Sequence, residues 1–99
     1  MGFRIRATYP DIEYRGYQSG FSEKSQRDWL TLVFEDAECD QIQASVPANM
    51  QNDVREMHLR KGDHCAISIL AVATNSGNSY VQLTALPEVL EEDEQLVGF

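Results

Sequence analysis

At 99 residues, 42% of them hydrophobic and nine of them aromatic, the chain is long enough for one domain around one modest core. No apolar run approaches the roughly 20 residues of a membrane helix, Met1–Arg6 lacks the apolar stretch of a signal peptide, and Arg6 occupies the position where myristoylation needs Ser or Thr. A cytoplasmic protein without membrane contact is expected, and its net charge of −8 argues against a nucleic-acid partner until the distribution of that charge is read.

In chain order, Phe3, Ile5 and Ala7 alternate with Arg4, Arg6 and Thr8, which is strand spacing. Pro10 bends this strand, and Ile12 and Tyr14 resume it, with Gly16 suited to a bulge. Residues 18–28 are polar and rich in Gly and Ser and read as a long loop. A second strand follows over Trp29–Phe34, with Leu30, Leu32 and Phe34 on one face and Trp29, Thr31 and Val33 on the other. Glu35–Asp40 is an acidic turn. Gln41–Val46 alternates as a third strand, Ile42, Ala44 and Val46 against Gln41, Gln43 and Ser45.

Pro47 ends that strand. Asn49 is placed to cap a helix over about residues 50–60, whose Met50, Val54, Met57 and His58 recur at helical spacing. Gly62 is placed just past its end. Cys65, Ile67, Ile69 and Ala71 mark strand four, Thr74–Ser79 a hairpin loop, and Tyr80–Leu86 strand five. Pro87 closes the domain, so residues 1–87 form one unit and residues 88–99 a disordered acidic tail. Cys39 and Cys65, 26 positions apart, read as small buried thiols.

Five strands that each bury one face, with one short helix between the third and fourth, hide their inner faces by closing on themselves. The expected fold is all-β, a five-stranded OB-fold barrel with the helix plugging one end. An open sheet covered by the helix is the alternative.

The tail holds Glu91, Glu92, Asp93 and Glu94 and then Leu96, Val97, Gly98 and Phe99. Removing residues 88–99 and their five acids leaves 8 basic against 11 acidic residues. The first 34 residues carry Arg4, Arg6, Arg15, Lys24 and Arg27 against four acids. Local positive surface is therefore available, and binding to phosphates should be modest and sensitive to salt.

The run Arg60-Lys-Gly-Asp-His-Cys-Ala-Ile-Ser-Ile-Leu70, the Gly-containing loop, Tyr80-Val-Gln-Leu-Thr-Ala-Leu86 and the acidic, Phe-ended tail together resemble the bacterial single-stranded-DNA-binding proteins. The chain departs from that family in having few aromatics on the middle strands, almost no linker before the tail, and Gly98 where the family has Pro. The resemblance implies single-stranded DNA as ligand; the residues themselves do not distinguish DNA from RNA, since base stacking serves both. It implies homo-oligomers formed through strand one or an outer sheet face. It also implies protein partners held by the tail, for which Asp93, Glu94, Leu96, Val97 and Phe99 are the candidate residues.

Trp29, with Thr31 beside it, faces outward if Leu30, Leu32 and Phe34 face inward, on the surface of strands two and three where OB-folds seat ligands. The alternative is that its indole covers the rim or an oligomer interface. Tyr14, Tyr17 and Phe21, interleaved with Arg15, Lys24 and Arg27, suit stacking on bases and pairing with phosphates. Arg4, Arg6, Gln43 and Tyr80 complete the candidate surface, with Gln43 and Ser45 on a strand expected beside the arginines. Catalysis is not expected. His58 and His64 do not form a metal pair, no Cys-x-x-Cys occurs, and His64 and Cys65 point to opposite faces of a strand. No cofactor or metal is expected. The rival function is a protein-binding OB module acting as an adaptor or subunit, in which Trp29 and the nearby aromatics meet a protein.

Overall fold

The structure, a computed structural model, describes residues 2–90. In chain order it has β1 (Phe3–Ser22), β2 (Arg27–Glu35), β3 (Gln41–Ser45), α1 (Gln51–Glu56), β4 (His64–Ala73), β5 (Ser79–Leu83) and β6 (Glu88–Val89), with a 3-10 turn over Ala48–Met50 leading into α1. The neighbours run β1-β2-β3-β5-β4, and β4 returns to β1, so five strands close into a ring. The closure is thin at one seam: β3 meets β5 through the parallel pair Ser45 and Gln82, reinforced by the Ser45 hydroxyl donating to the Val81 carbonyl at 3.3 Å. Among the described residues no helix is long and apolar enough to cross a membrane.

The ring closes because β1 serves two neighbours. Phe3–Tyr9, Ile12 and Glu13 pair with β4, and Glu13, Tyr14 and Gly16–Ser22 pair with β2, so Glu13 has a partner on each side. The change of partner takes place between two irregularities. One lies between Tyr9 and Ile12, at Pro10, which has no N–H to give to a ladder. The other lies between Tyr14 and Gly16, where Arg15 is the extra residue of a bulge and Gly16 has φ of 130°. The 60–63 turn grips the same point: the Tyr14 N–H donates to the Asp63 carbonyl at 2.8 Å, and the Gly62 N–H to the Tyr14 carbonyl at 2.9 Å.

Alternation in the sequence becomes an inner face. Ile12, Tyr14, Leu30, Leu32, Phe34, Ala44, Val46, Cys65, Ile67, Ile69 and Leu83 are buried together. Phe34 is wholly covered, and the Tyr14 ring meets it edge-on with centroids 5.8 Å apart. Val54 of α1 joins this cluster, with Met50 and Leu59 packed against it, so the helix covers one end of the ring. Among the described residues no polar or charged side chain is buried. The arrangement fits the expected all-β class and the position of the helix.

Four expectations are corrected. Residues 18–28 are not a loop: β1 runs to Ser22 and β2 starts at Arg27, so only Glu23–Gln26 turn. The result is a two-stranded arm that overhangs the ring. The helix is shorter than expected, with no side-chain cap from Asn49, and it ends because His58 takes φ of 51°; Gly62 serves the next turn instead. Glu88 does not begin a tail: Glu88 and Val89 pair with Ala66 and Cys65, and the Leu90 N–H donates to the His64 carbonyl at 2.8 Å. Cys39 is exposed, with φ of 66°, in a turn held by Asp36, whose carboxylate accepts the N–H groups of Glu38 and Asp40 at 2.9 Å. Cys65 is buried, and burial, with Asp63 and Asp11 nearby, pushes its thiol pKa up to about 11.

Gly16 is the position where a side chain conflicts most directly with the closure. At φ of 130° a Cβ is strained whatever the space around it. Gly16→Ala should lower stability by about 1–3 kcal/mol, read as a lower urea midpoint with an unchanged slope. A wild-type midpoint would show that the bulge does not depend on glycine.

Candidate nucleic-acid interface

Residues opposite each other across a ladder project to the same face. That rule places the candidate side chains. Thr31 lies between Gln18 of β1 and Ser45 of β3, Ser45 lies beside Gln82 of β5, Gln82 beside Leu70 of β4, and Leu70 beside Arg6 of β1. A mostly polar belt of hydroxyls and amides therefore runs round the outside of the ring, from the arm to Arg6.

Trp29 stands at one end of this belt. It is 42% exposed and directly opposite Gly20, on the face away from Leu30, Leu32 and Phe34. The indole lies over the glycine: a Cβ at position 20 would sit 2.8 Å from Cζ2 and 3.0 Å from Nε1. Only glycine leaves room for the ring to lie against the strand. Arg27, two residues before Trp29, shares its face opposite Ser22, and Lys24 lies in the turn at the tip of the arm. An aromatic plane backed by main chain, open on its other side and next to a guanidinium, is suited to stacking and to a phosphate.

A second group forms at the other end of β1. Arg4 faces Val72, and Val72 faces Tyr80, so the three make one row across β1, β4 and β5. Tyr80 is 48% exposed while Val72 is 9% exposed. Arg6 is one step along the same face. Tyr80 thus belongs with the arginines, which the sequence did not reveal. The strand beside Arg4 and Arg6 is β4, not the strand of Gln43 and Ser45; Gln43 is exposed on β3 opposite Val33.

The remaining candidates divide. Tyr14 is 4% exposed and part of the core, and burial raises its phenol pKa further; its ring is not open to a base. Tyr17 and Phe21, 64% and 55% exposed, lie on the opposite face of the arm from Trp29, because Tyr17 faces Leu32 and Phe21 faces Asp28. Arg15 is exposed at the bulge and pairs with Glu13 at 3.0 Å. Among the described residues no other Lys or Arg has a carboxylate within 4.0 Å. Asp93, Glu94, Leu96, Val97 and Phe99 lie outside the described residues.

The structure also presents a groove the sequence did not signal. It has a volume of about 300 Å³ and lies between the inner face of the arm, with Tyr17, Ser19, Leu30 and Leu32, and α1 with its C-terminal turn, with Val54, Arg55 and His58. Its walls come from segments more than twenty positions apart, so no local pattern announces it.

No protein-family model, curated protein or solved structure matches this chain.

Gly20→Ala tests the seat of the indole. The added methyl should lift Trp29 off the strand and shift its fluorescence emission to the red, with a stability change within about 1 kcal/mol since the ring is half exposed. An unchanged emission spectrum would mean that the ring does not rest on Gly20.

Proposed function

We propose that this protein is a non-catalytic single-stranded-DNA-binding protein whose ring of five strands is an OB-type barrel, and that DNA lies on the outer face of β2 and β3 and along the arm. The observation that carries this reading is Trp29, outward with its indole seated over Gly20, with Arg27 on the same face. One base stacked there contributes about 1–3 kcal/mol. The strand continues over Thr31, Ser45 and Gln82 toward Arg6, Arg4 and Tyr80, where cations again meet an exposed ring. The absence of catalysis is supported by two facts. His64 contacts the Asp11 carboxylate at an exposed site, Nδ1 to Oδ1 at 2.6 Å, and the neighbouring Cys65 faces the core with a raised pKa. Recruitment of protein partners by Asp93, Glu94, Leu96, Val97 and Phe99 rests on the sequence pattern alone, acids followed by apolar residues. A cytoplasmic site of action and self-association belong to the same proposal.

A second reading, a protein-binding module, is favoured by the net charge of −8 and by Phe3 and Ile5, 56% and 53% exposed on β1.

Titration with oligothymidylate, followed by Trp29 fluorescence at two salt concentrations, separates the readings. DNA binding predicts quenching of the indole. Three or four phosphate contacts, from Arg4, Arg6, Arg27 and Lys24, give a slope of about −2 to −3 in log K against log salt, or roughly a 16- to 60-fold loss for a fourfold rise in salt. Trp29→Ala should weaken binding about 5- to 150-fold. An oligouridylate arm compares RNA with DNA. Neither quenching nor binding at low salt would favour the protein-binding module.

A further inference from the structure

The arm has two faces, and the outer face alone does not explain its aromatic content. Gly20 and Trp29 occupy the outer side, whereas Tyr17, Ser19 and Phe21 follow one another on the inner side. Tyr17 and Phe21 are each more than half exposed. Leu30, Leu32 and Phe34 beside them are at 3% exposure or less, so the two rings stand out from a covered core. Beneath Tyr17 lies the groove of about 300 Å³ against α1.

The chemistry of this groove is mixed. Leu30 and Leu32 give it an apolar floor, Tyr17 an aromatic wall, and Ser19, Arg55 and His58 hydrogen-bonding groups. A purely apolar partner segment would bury those polar groups without satisfying them, which is costly. Arg55 is exposed on α1, and no carboxylate lies within 4.0 Å of it among the described residues. Asp28 stands opposite Phe21 at the outer end of this face, so an anion is favoured at the Arg55 end and disfavoured at the tip. The volume is at the lower end of small-ligand pockets, which run from about 300 to 1,000 Å³. A flat ring attached to one anionic group suits this combination of size, floor and charge.

We propose that this groove is a second seat for the same DNA strand, taking one nucleotide with its base against Tyr17 and its phosphate on Arg55. The inference rests on the reading of Trp29 as a base-stacking residue, and it continues that interface. The strand passes from the outer face round the β1 edge of the arm near Ser19, on the groove side of the Phe21–Asp28 pair, and enters the groove on the other side. The arm thus acts as a post around which the strand turns, and the bound length exceeds what the outer face alone would cover.

The test uses two labelled oligothymidylates, one of about four nucleotides and one of about twelve, within the range that OB-folds engage. Affinity is read by anisotropy, and occupancy of the outer face by quenching of Trp29. For the longer oligomer, Arg55→Ala and Tyr17→Ser should each weaken binding about 5- to 20-fold, within the range of one stacked base or one charge-assisted contact, while the quenching at saturation stays at the wild-type value. The short oligomer, unable to span both seats, should bind these variants as it binds wild type. Tyr17→Phe should retain wild-type affinity for the longer oligomer, since stacking needs the ring and not the hydroxyl. Both positions are exposed, and thermal melts verify that the three variants fold. Wild-type affinity of Arg55→Ala and Tyr17→Ser for the longer oligomer would overturn the second seat while leaving the Trp29 interface standing; this is also the outcome if the groove serves a protein segment. Loss of Trp29 quenching in wild type itself would instead remove the reading on which the second seat depends.

Discussion

β1 is hydrogen-bonded to β4 along its first half and to β2 along its second, and every other feature of the molecule depends on that division. A strand that stays straight cannot turn from one partner to the other. Pro10 withholds a donor at one end of the changeover, and Arg15 with Gly16 inserts an extra residue at the other. The chain bends between them, and Ile12 and Tyr14, at the bend, point into the core at 1% and 4% exposure. The turn over residues 60–63 is bonded to both backbone groups of Tyr14, so the entry to β4 is fixed to the same point. Closure is then completed by the short seam between Ser45 and Gln82.

Closure also decides which side chains face water. With Leu30, Leu32 and Phe34 committed to the interior, Trp29 must be outside, and Gly20 opposite it lets the indole lie on the strand. The two ends of β1 each continue past the ring as part of an arm, one with β2 and one with β4 and β5. These arms lengthen the molecule to 56 Å against 28 and 21 Å in the other directions. They also carry the exposed aromatic and basic side chains, so the extension that folding permits is also where the candidate ligand contacts gather. Part of the negative charge is gathered elsewhere, since Asp36, Glu38 and Asp40 sit together in the turn after β2 within 4.8 Å of one another, while Glu23 and Asp28 remain on the arm.

Much of the ring could be read in advance from residues buried on one side only. Leu30, Leu32 and Phe34, then Ala44 and Val46, then Cys65, Ile67 and Ile69 alternate because each strand has a dry face and a wet one. The arm over Gln18–Ser22 escaped that reading because both of its faces are open, and a strand with no buried face leaves no alternation to detect. Its Gly and Ser content then resembles a loop. The early end of α1 depends on His58 adopting a left-handed conformation, uncommon for a non-glycine residue and not signalled by the helical spacing around it. β6 is two residues long and is held by pairing to Cys65 and Ala66 rather than by any pattern of its own. Of the candidate site, Trp29 and its outward direction were legible from neighbouring leucines. Its contact with Gly20, the row of Arg4, Val72 and Tyr80, and the groove at α1 each require knowledge of strand register, which a single sequence does not state.

The direct test of the central idea, that closure of the ring presents Trp29 on its Gly20 bed to a nucleobase, is an amide and indole NMR titration of the 15N-labelled protein with oligothymidylate. The account predicts that the Trp29 indole resonance and the amides of Gly20, Gln18 and Thr31 shift together along one binding curve, while those of Leu32, Phe34 and Ala44 in the core hold their positions. Shifts confined to the β4–β5 end, or none at all at the indole under low salt, would contradict it.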